Sequence, residues 1–157
     1  RLDRNMKAGL LDRNAYRRQR AVLLTARALA AGETDPAGTR ALALEAVKLE
    51  PTLVPGAALA GRLLGESGDL RRAGRIVETA WRVNPHPDLA DTYAQNHLPE
   101  RAIEHLRFLE KNSPPAERAQ ALQQIARIQQ GAGNQDGAIA SLEKALALTT
   151  PGNWLRT

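Results

Sequence analysis

Apolar residues recur along most of this chain at three- and four-residue intervals, the spacing that gathers them on one face of an α-helix. Residues 54–85, VPGAALAGRLLGESGDLRRAGRIVETAWRVNP, show it best: two such patterns flank the polar break GESGDL. Gly61, Gly68, Ala73, Ala80 and Pro85 are the small or helix-stopping positions of this stretch. On two antiparallel helices they allow close backbone approach, break the chain between the helices and end the second one. A helix pair of this size cannot bury its own apolar face and needs copies of itself alongside.

The same reading extends in both directions. Leu2, Met6 and Leu10 fall at i, i+4 and i+8, so residues 1–10 read as a remnant second helix, with Gly9 closing it and Asp12 capping the helix after it. Residues 14–31 predict a long helix with Tyr16, Leu23, Leu24 and Ala30 at packing positions. Gly32-Glu33-Thr34-Asp35-Pro36 then interrupts it, Asp35 suiting an N-cap and Pro36 a first turn. The next helix, 37–49, stops at Glu50-Pro51, because proline disfavours helix in the residue before it.

Spacing now identifies the repeat. Pro51 and Pro85 are 85 − 51 = 34 residues apart, and Ala46 and Ala80 are 80 − 46 = 34 apart. A 34-residue period of helix pairs resembles the tetratricopeptide (TPR) repeat, although Ala57 and Leu64 stand where that family often has Trp and Tyr. The expected fold is all-α, a right-handed TPR superhelix of stacked antiparallel helix pairs forming one domain over 1–157. Its repeats are 14–51, 54–85, 88–114 and 118–150. The third is divergent: 88–95 is a short first helix containing Tyr93, 99–111 is its partner, and the shortfall is either a shortened repeat or a trimmed loop near 95–99. In the fourth, Gly133, Ala138, Leu142 and Ala145 match Gly68, Ala73, Val77 and Ala80 at one offset, 145 − 80 = 65. Residues 151–157, carrying Trp154 and Leu155, are expected to cap the last pair.

Three phrases within 14–94, AYRRQRAVLLTARALAAG, LALEAVKLEPTLVPGAALAGRLLGESGDLRRAGRIVETAW and NPHPDLADTYA, together resemble the HemY-type proteins. These are bacterial TPR proteins associated with protoheme biosynthesis, whose helical domain follows N-terminal membrane helices. The resemblance implies a pathway, heme metabolism, and an address, a bacterial inner membrane with this domain on its cytoplasmic side. It implies no reaction. The sequence begins at Arg1, so the expectation is a piece of a longer protein that reaches the membrane only through a segment outside these 157 residues.

Composition narrows the chemistry. Hydrophobic residues make up 43% but aromatics only 3%, an Ala- and Leu-rich balance that favours helix throughout. With no cysteine there is no disulfide framework, thiolate metal site or thiol nucleophile. A net charge of +5, carried largely by arginine, gives either a solvated basic surface or attraction to an acidic partner. Little aromatic interleaving and no groove-reading motif argue against nucleic acid.

Catalytic motifs fail on inspection. Gly65-Glu66-Ser67-Gly68 runs into Asp69 where GxSxG needs its second glycine, and it lies between helices, not on a strand-to-helix turn. GAGNQDG at 131–137 misses the GxGxxG spacing by one residue. His86, His97 and His105 have no i, i+4 pairing, so no metal or other cofactor is implied, and heme through His97 or His105 is a minor alternative. Protein binding remains. Arg62 and Arg127 are equivalent positions on the inner face, since 127 − 62 = 65, and Gln123 and Gln130 lie on the same side as Arg127. Arg17, Arg20, Arg27 and Lys48 extend a basic surface suited to carboxylates and peptide carbonyls, unless these cations are solvated or paired with Glu between repeats. The expected function is a non-catalytic scaffold holding a protein or peptide in a concave groove. The alternatives are a self-associating module, forming homo-oligomers through exposed repeat ends, and a heme carrier.

Overall fold

The computed structural model describes residues 3, 4, 9 and 12–150. Among these, eight α-helices and one 3₁₀ turn follow one another with no strand: α1 (Arg13–Ala31), the turn Gly32–Thr34, α2 (Pro36–Leu49), α3 (Val54–Glu66), α4 (Leu70–Val83), α5 (Pro87–Gln95), α6 (Pro99–Asn112), α7 (Pro115–Gly131) and α8 (Gln135–Thr149). The fold is all-α, built from helices packed in neighbouring pairs. The expected cap at 151–157 lies outside the described residues, as does the stripe of Leu2, Met6 and Leu10.

Local chemistry sets the helix ends. Carboxylate or amide oxygens at four N-caps accept backbone N–H groups three residues on: Asp12 from Ala15 at 2.8 Å, Asp35 from Gly38 at 3.0 Å, Asp69 from Arg72 at 3.2 Å and Asn134 from Gly137 at 3.0 Å. Each such cap is worth about 1 kcal/mol. Proline occupies the first turn of α2, α3, α6 and α7, where its missing N–H costs nothing.

Three of the links share one hydrogen-bond pattern, the Schellman turn. After α3, Gly68 N–H bonds Gly65 C=O at 3.0 Å and Asp69 N–H bonds Leu64 C=O at 2.9 Å. After α7, Gly133 bonds Gln130 at 3.0 Å and Asn134 bonds Gln129 at 2.8 Å. After α5, His97 bonds Ala94 at 3.1 Å and Leu98 bonds Tyr93 at 2.8 Å. The turn requires positive φ at its centre, which Gly68 (φ 85°) and Gly133 (φ 81°) supply freely. His97 adopts it too, at φ 60°, with a side chain attached.

The turns align the repeats: Leu64, Tyr93 and Gln129 are equivalent, at offsets 93 − 64 = 29 and 129 − 93 = 36, which sum to the 65 read from the sequence. The link after α5 thus closes with the same turn as the links after α3 and α7. The divergent repeat loses its residues from the start of its first helix, α5 having 9 residues against 13 in α3 and 17 in α7.

The chain divides into two compact units, Arg1–Leu89 and Ala90–Thr157. In the first, α1 pairs with α2 and α3 with α4, while α2 packs on α3 through Ala43, Leu59 and Ala60 with Leu44, Val47 and Leu63 around them. A second cluster, Ala21, Leu24, Ala46 and Leu53, ties α1 to α2 and to the start of α3. Close approach of α1 and α3 explains Gly56: a Cβ there would stand 3.1 Å from the Thr25 hydroxyl. In the second unit α7 packs along both α6 and α8, Leu122 and Ala119 meeting Ala145. A buried hydrogen bond from the Ser141 hydroxyl to the Gln129 side-chain oxygen, 2.8 Å, satisfies both polar groups inside that contact.

Candidate functional site

The site that the second unit offers is an open cleft of about 570 Å³ lined by Ala94, Gln95, His97, Pro99, Arg127, Ile128, Gly131 and Ala132. Its walls are set by the Schellman turns at the ends of α5 and α7. The turn after α5 brings Gln95, His97 and Pro99 to one side, and the last two turns of α7 bring Arg127, Ile128 and Gly131 to the other. Arg127 is exposed and makes no ion pair among the described residues. Gln95 is held by donating its amide to Asp91 at 3.1 Å. A guanidinium, an imidazole and an amide thus face a cleft whose remaining lining is aliphatic. Arginine's planar donors suit a carboxylate, and the aliphatic wall suits the side chains beside it.

His97 carries the strain. A non-glycine residue in the left-handed region costs about 1–2 kcal/mol, and residues held this way cluster at binding and catalytic sites. His97→Gly is therefore expected to raise stability by about 0.5–1 kcal/mol, the gain in turn conformation being partly offset by glycine's larger unfolded-state freedom. Urea denaturation of the two proteins side by side measures this.

The other residues that the sequence singles out fall elsewhere. Gln123 and Gln130 are exposed on the same side of α7 as Arg127, but neither lines the cleft. Arg62 is half-buried on α3, and Arg17 and Arg27 are exposed on α1. The turns place Arg62, Asp91 and Arg127 at one register, each two residues before the aligned Leu64, Tyr93 and Gln129. The middle repeat thus carries a carboxylate where its neighbours carry a cation, an alternation that the 65-residue offset between Arg62 and Arg127 steps over.

Arg20 is engaged in structure. Its guanidinium donates to the Tyr16 hydroxyl at 3.2 Å and pairs with Glu45 at 3.3 Å and Asp3 at 3.9 Å, while Tyr16 donates to Asp3. The Tyr16 contact and then Glu45 push its pKa further above the ordinary arginine value. Arg17 and Arg18 act on Glu50, whose carboxylate is held below its ordinary range chiefly by the Thr52 hydroxyl and, less strongly, by these two cations.

The histidines divide likewise. His86 accepts the Asp88 backbone N–H at 3.1 Å through Nδ1, capping the start of α5. His105 packs its ring 4.8 Å from that of Tyr93, and its Nδ1 lies 2.8 Å from the Arg101 carbonyl oxygen. Only His97 of the three lines the cleft, so heme would find no second axial side chain there. No group of three or more His, Cys, Asp or Glu side chains able to hold a metal exists among the described residues. None of their helices is long and apolar enough to cross a membrane.

Comparison with known proteins bears on the fold. No family model matches the chain, and no curated protein matches it. Among solved structures it is similar to MamA, a TPR-like helical repeat protein, with a TM-score of 0.52 over 94% of this chain and 93% of that one, at 20% sequence identity. A TPR-type helical repeat fold is what that likeness establishes.

Proposed function

We propose that the protein is a non-catalytic scaffold whose second unit binds an acidic peptide segment of a partner protein in the His97–Arg127 cleft. The observation that carries this reading is the strained His97, held on the same cleft as the unpaired Arg127. A carboxylate of the peptide pairs with Arg127, His97 and Gln95 donate or accept beside it, and its apolar neighbours lie against Ile128 and Pro99. The cleft is shaped by helix ends fixed by backbone hydrogen bonds, so little ordering entropy opposes binding. The HemY-like text of 14–94 supplies a setting for this proposal: docking of another protein in heme metabolism at the cytoplasmic face of a bacterial inner membrane. In the first unit, exposed Arg17 and Arg27 and half-buried Arg62 are further cations that the proposal offers to such a partner.

Fluorescence anisotropy with labelled peptides tests the reading. Acidic peptides should bind at least ~10-fold more tightly than their Asn/Gln counterparts, and Arg127→Glu should abolish that preference without loss of helicity, consistent with charged hydrogen bonds worth about 1.5–3 kcal/mol. Equal binding of both peptide classes, or binding that survives Arg127→Glu, rejects the cleft as the site.

A further inference from the structure

Among the described residues, the α8 helix leaves a repeat-stacking face exposed. Counting from each turn's capping residue, Ala43, Val77, Leu106 and Leu142 share one register, since 43 − 35 = 77 − 69 = 106 − 98 = 142 − 134 = 8. The first three are buried. Within the first unit, Ala43 and its neighbour Val47 are covered by the following helix α3, through Leu59, Ala60 and Leu63. Within the second, the α6 helix bearing Leu106 is covered by α7. Leu142, by contrast, is 50% exposed, and it continues into a stripe with Ile139 (54%) and Leu146 (68%). No helix follows α8 among the described residues.

On α1 the reciprocal half of the same contact is exposed, with no described residue packed over it. The buried residues of α1, Ala21, Leu24, Thr25 and Ala28, align with buried Ala57, Ala60, Gly61 and Leu64 of α3 at 57 − 21 = 36. At that offset Leu23 corresponds to Leu59, the residue that receives Ala43, yet Leu23 is 54% exposed beside exposed Val22. An apolar hollow of about 480 Å³ lies at this spot, lined by Ala15, Arg18, Gln19, Val22 and Leu23. The borders differ in charge: Arg18 lines the α1 hollow, whereas Asp136 and Glu143 lie beside the α8 stripe, with Lys144 on the opposite side of that helix.

We propose that the protein associates with a second copy of itself head to tail, the Ile139–Leu142–Leu146 stripe of one copy seating on the Leu23 face of α1 of the next. The contact reproduces between chains the one that Ala43 and Leu59 make within the chain. It is heterologous, because the two faces differ, so a dimer still carries one free copy of each face and can add further chains, as a ring or as an open filament. The surface is separate from the His97–Arg127 cleft and does not depend on its occupancy.

Sedimentation velocity of the 157-residue chain over a concentration series tests this. Average mass should rise from one chain towards several with concentration, and less so in high salt, which screens the charged rims. Leu142→Glu and Leu23→Glu should each weaken association at least ~10-fold with unchanged helicity, since both side chains are already exposed. Mixed together, the two variants each keep one intact face and should form a 1:1 dimer that grows no further. A chain monomeric at every concentration, association surviving either variant, or a mixture that stays monomeric overturns the proposal. Association that begins only when 151–157 is deleted also overturns it, assigning the α8 stripe to the chain's own tail.

Discussion

Tyr93→Ala is expected to destabilise the second unit by about 3–5 kcal/mol, the range for removing a fully buried ring. Among the described residues Tyr93 is the largest of the fully buried side chains, and it sits near the end of the shortest α-helix beside buried Leu89, Ala90 and Thr92. Its ring holds His105 at 4.8 Å and lies under the Arg101 guanidinium at 5.8 Å, so it joins α5 to α6 by packing and by a cation–π contact. Its carbonyl also closes the turn through Leu98. Hydrogen exchange resolved by peptide should therefore show faster exchange through α5–α8 while α1–α4 hold their protection. Uniform loss across both units would show that they do not unfold independently.

Val77→Asp and Leu142→Asp are one substitution at one register, and their outcomes should diverge. At Val77, buried almost completely on α4, the change removes apolar contacts and sinks an unpaired carboxylate, costing about 3 kcal/mol or more. At Leu142 the carboxylate points into water, and the expected change in stability of a single chain is within about 0.5 kcal/mol. Thermal denaturation at a concentration low enough to keep the chain monomeric measures both. A comparable loss at Leu142 would mean that its stripe is covered within the chain.

The helices and their ends were legible in the sequence because the signals are local. Asp35 before Pro36, Gly68 in the break GESGDL and Pro51 after Glu50 each act on the backbone within a few residues, and the structure puts helix boundaries there. The offset of 65 was legible for the same reason, being carried by small residues that every close helix contact demands. Leu142 was not: its match to Val77 is correct in register, but burial at that register depends on a following helix, which is a tertiary fact. The turn at His97 was hidden because its usual marker, glycine, is absent; only the hydrogen bonds to Tyr93 and Ala94 disclose it. Arg20 looked like its fellow arginines in the sequence, and nothing local foretold that Asp3, Tyr16 and Glu45 would surround it.

Alanine makes up most of the buried apolar positions among the described residues, Ala43, Ala46, Ala73, Ala80, Ala102 and Ala145 among them. At these positions neighbouring helices leave room for little more than a methyl group, while the larger side chains are buried at other registers. Tolerance to mutation should then be lopsided. In a saturation library, glycine and serine at these sites should survive with modest loss, whereas leucine or phenylalanine, harmless by hydrophobicity, should be purged. Such a protein can drift in the chemistry of its surface almost freely while the spacing of its helices stays fixed by a ceiling on size.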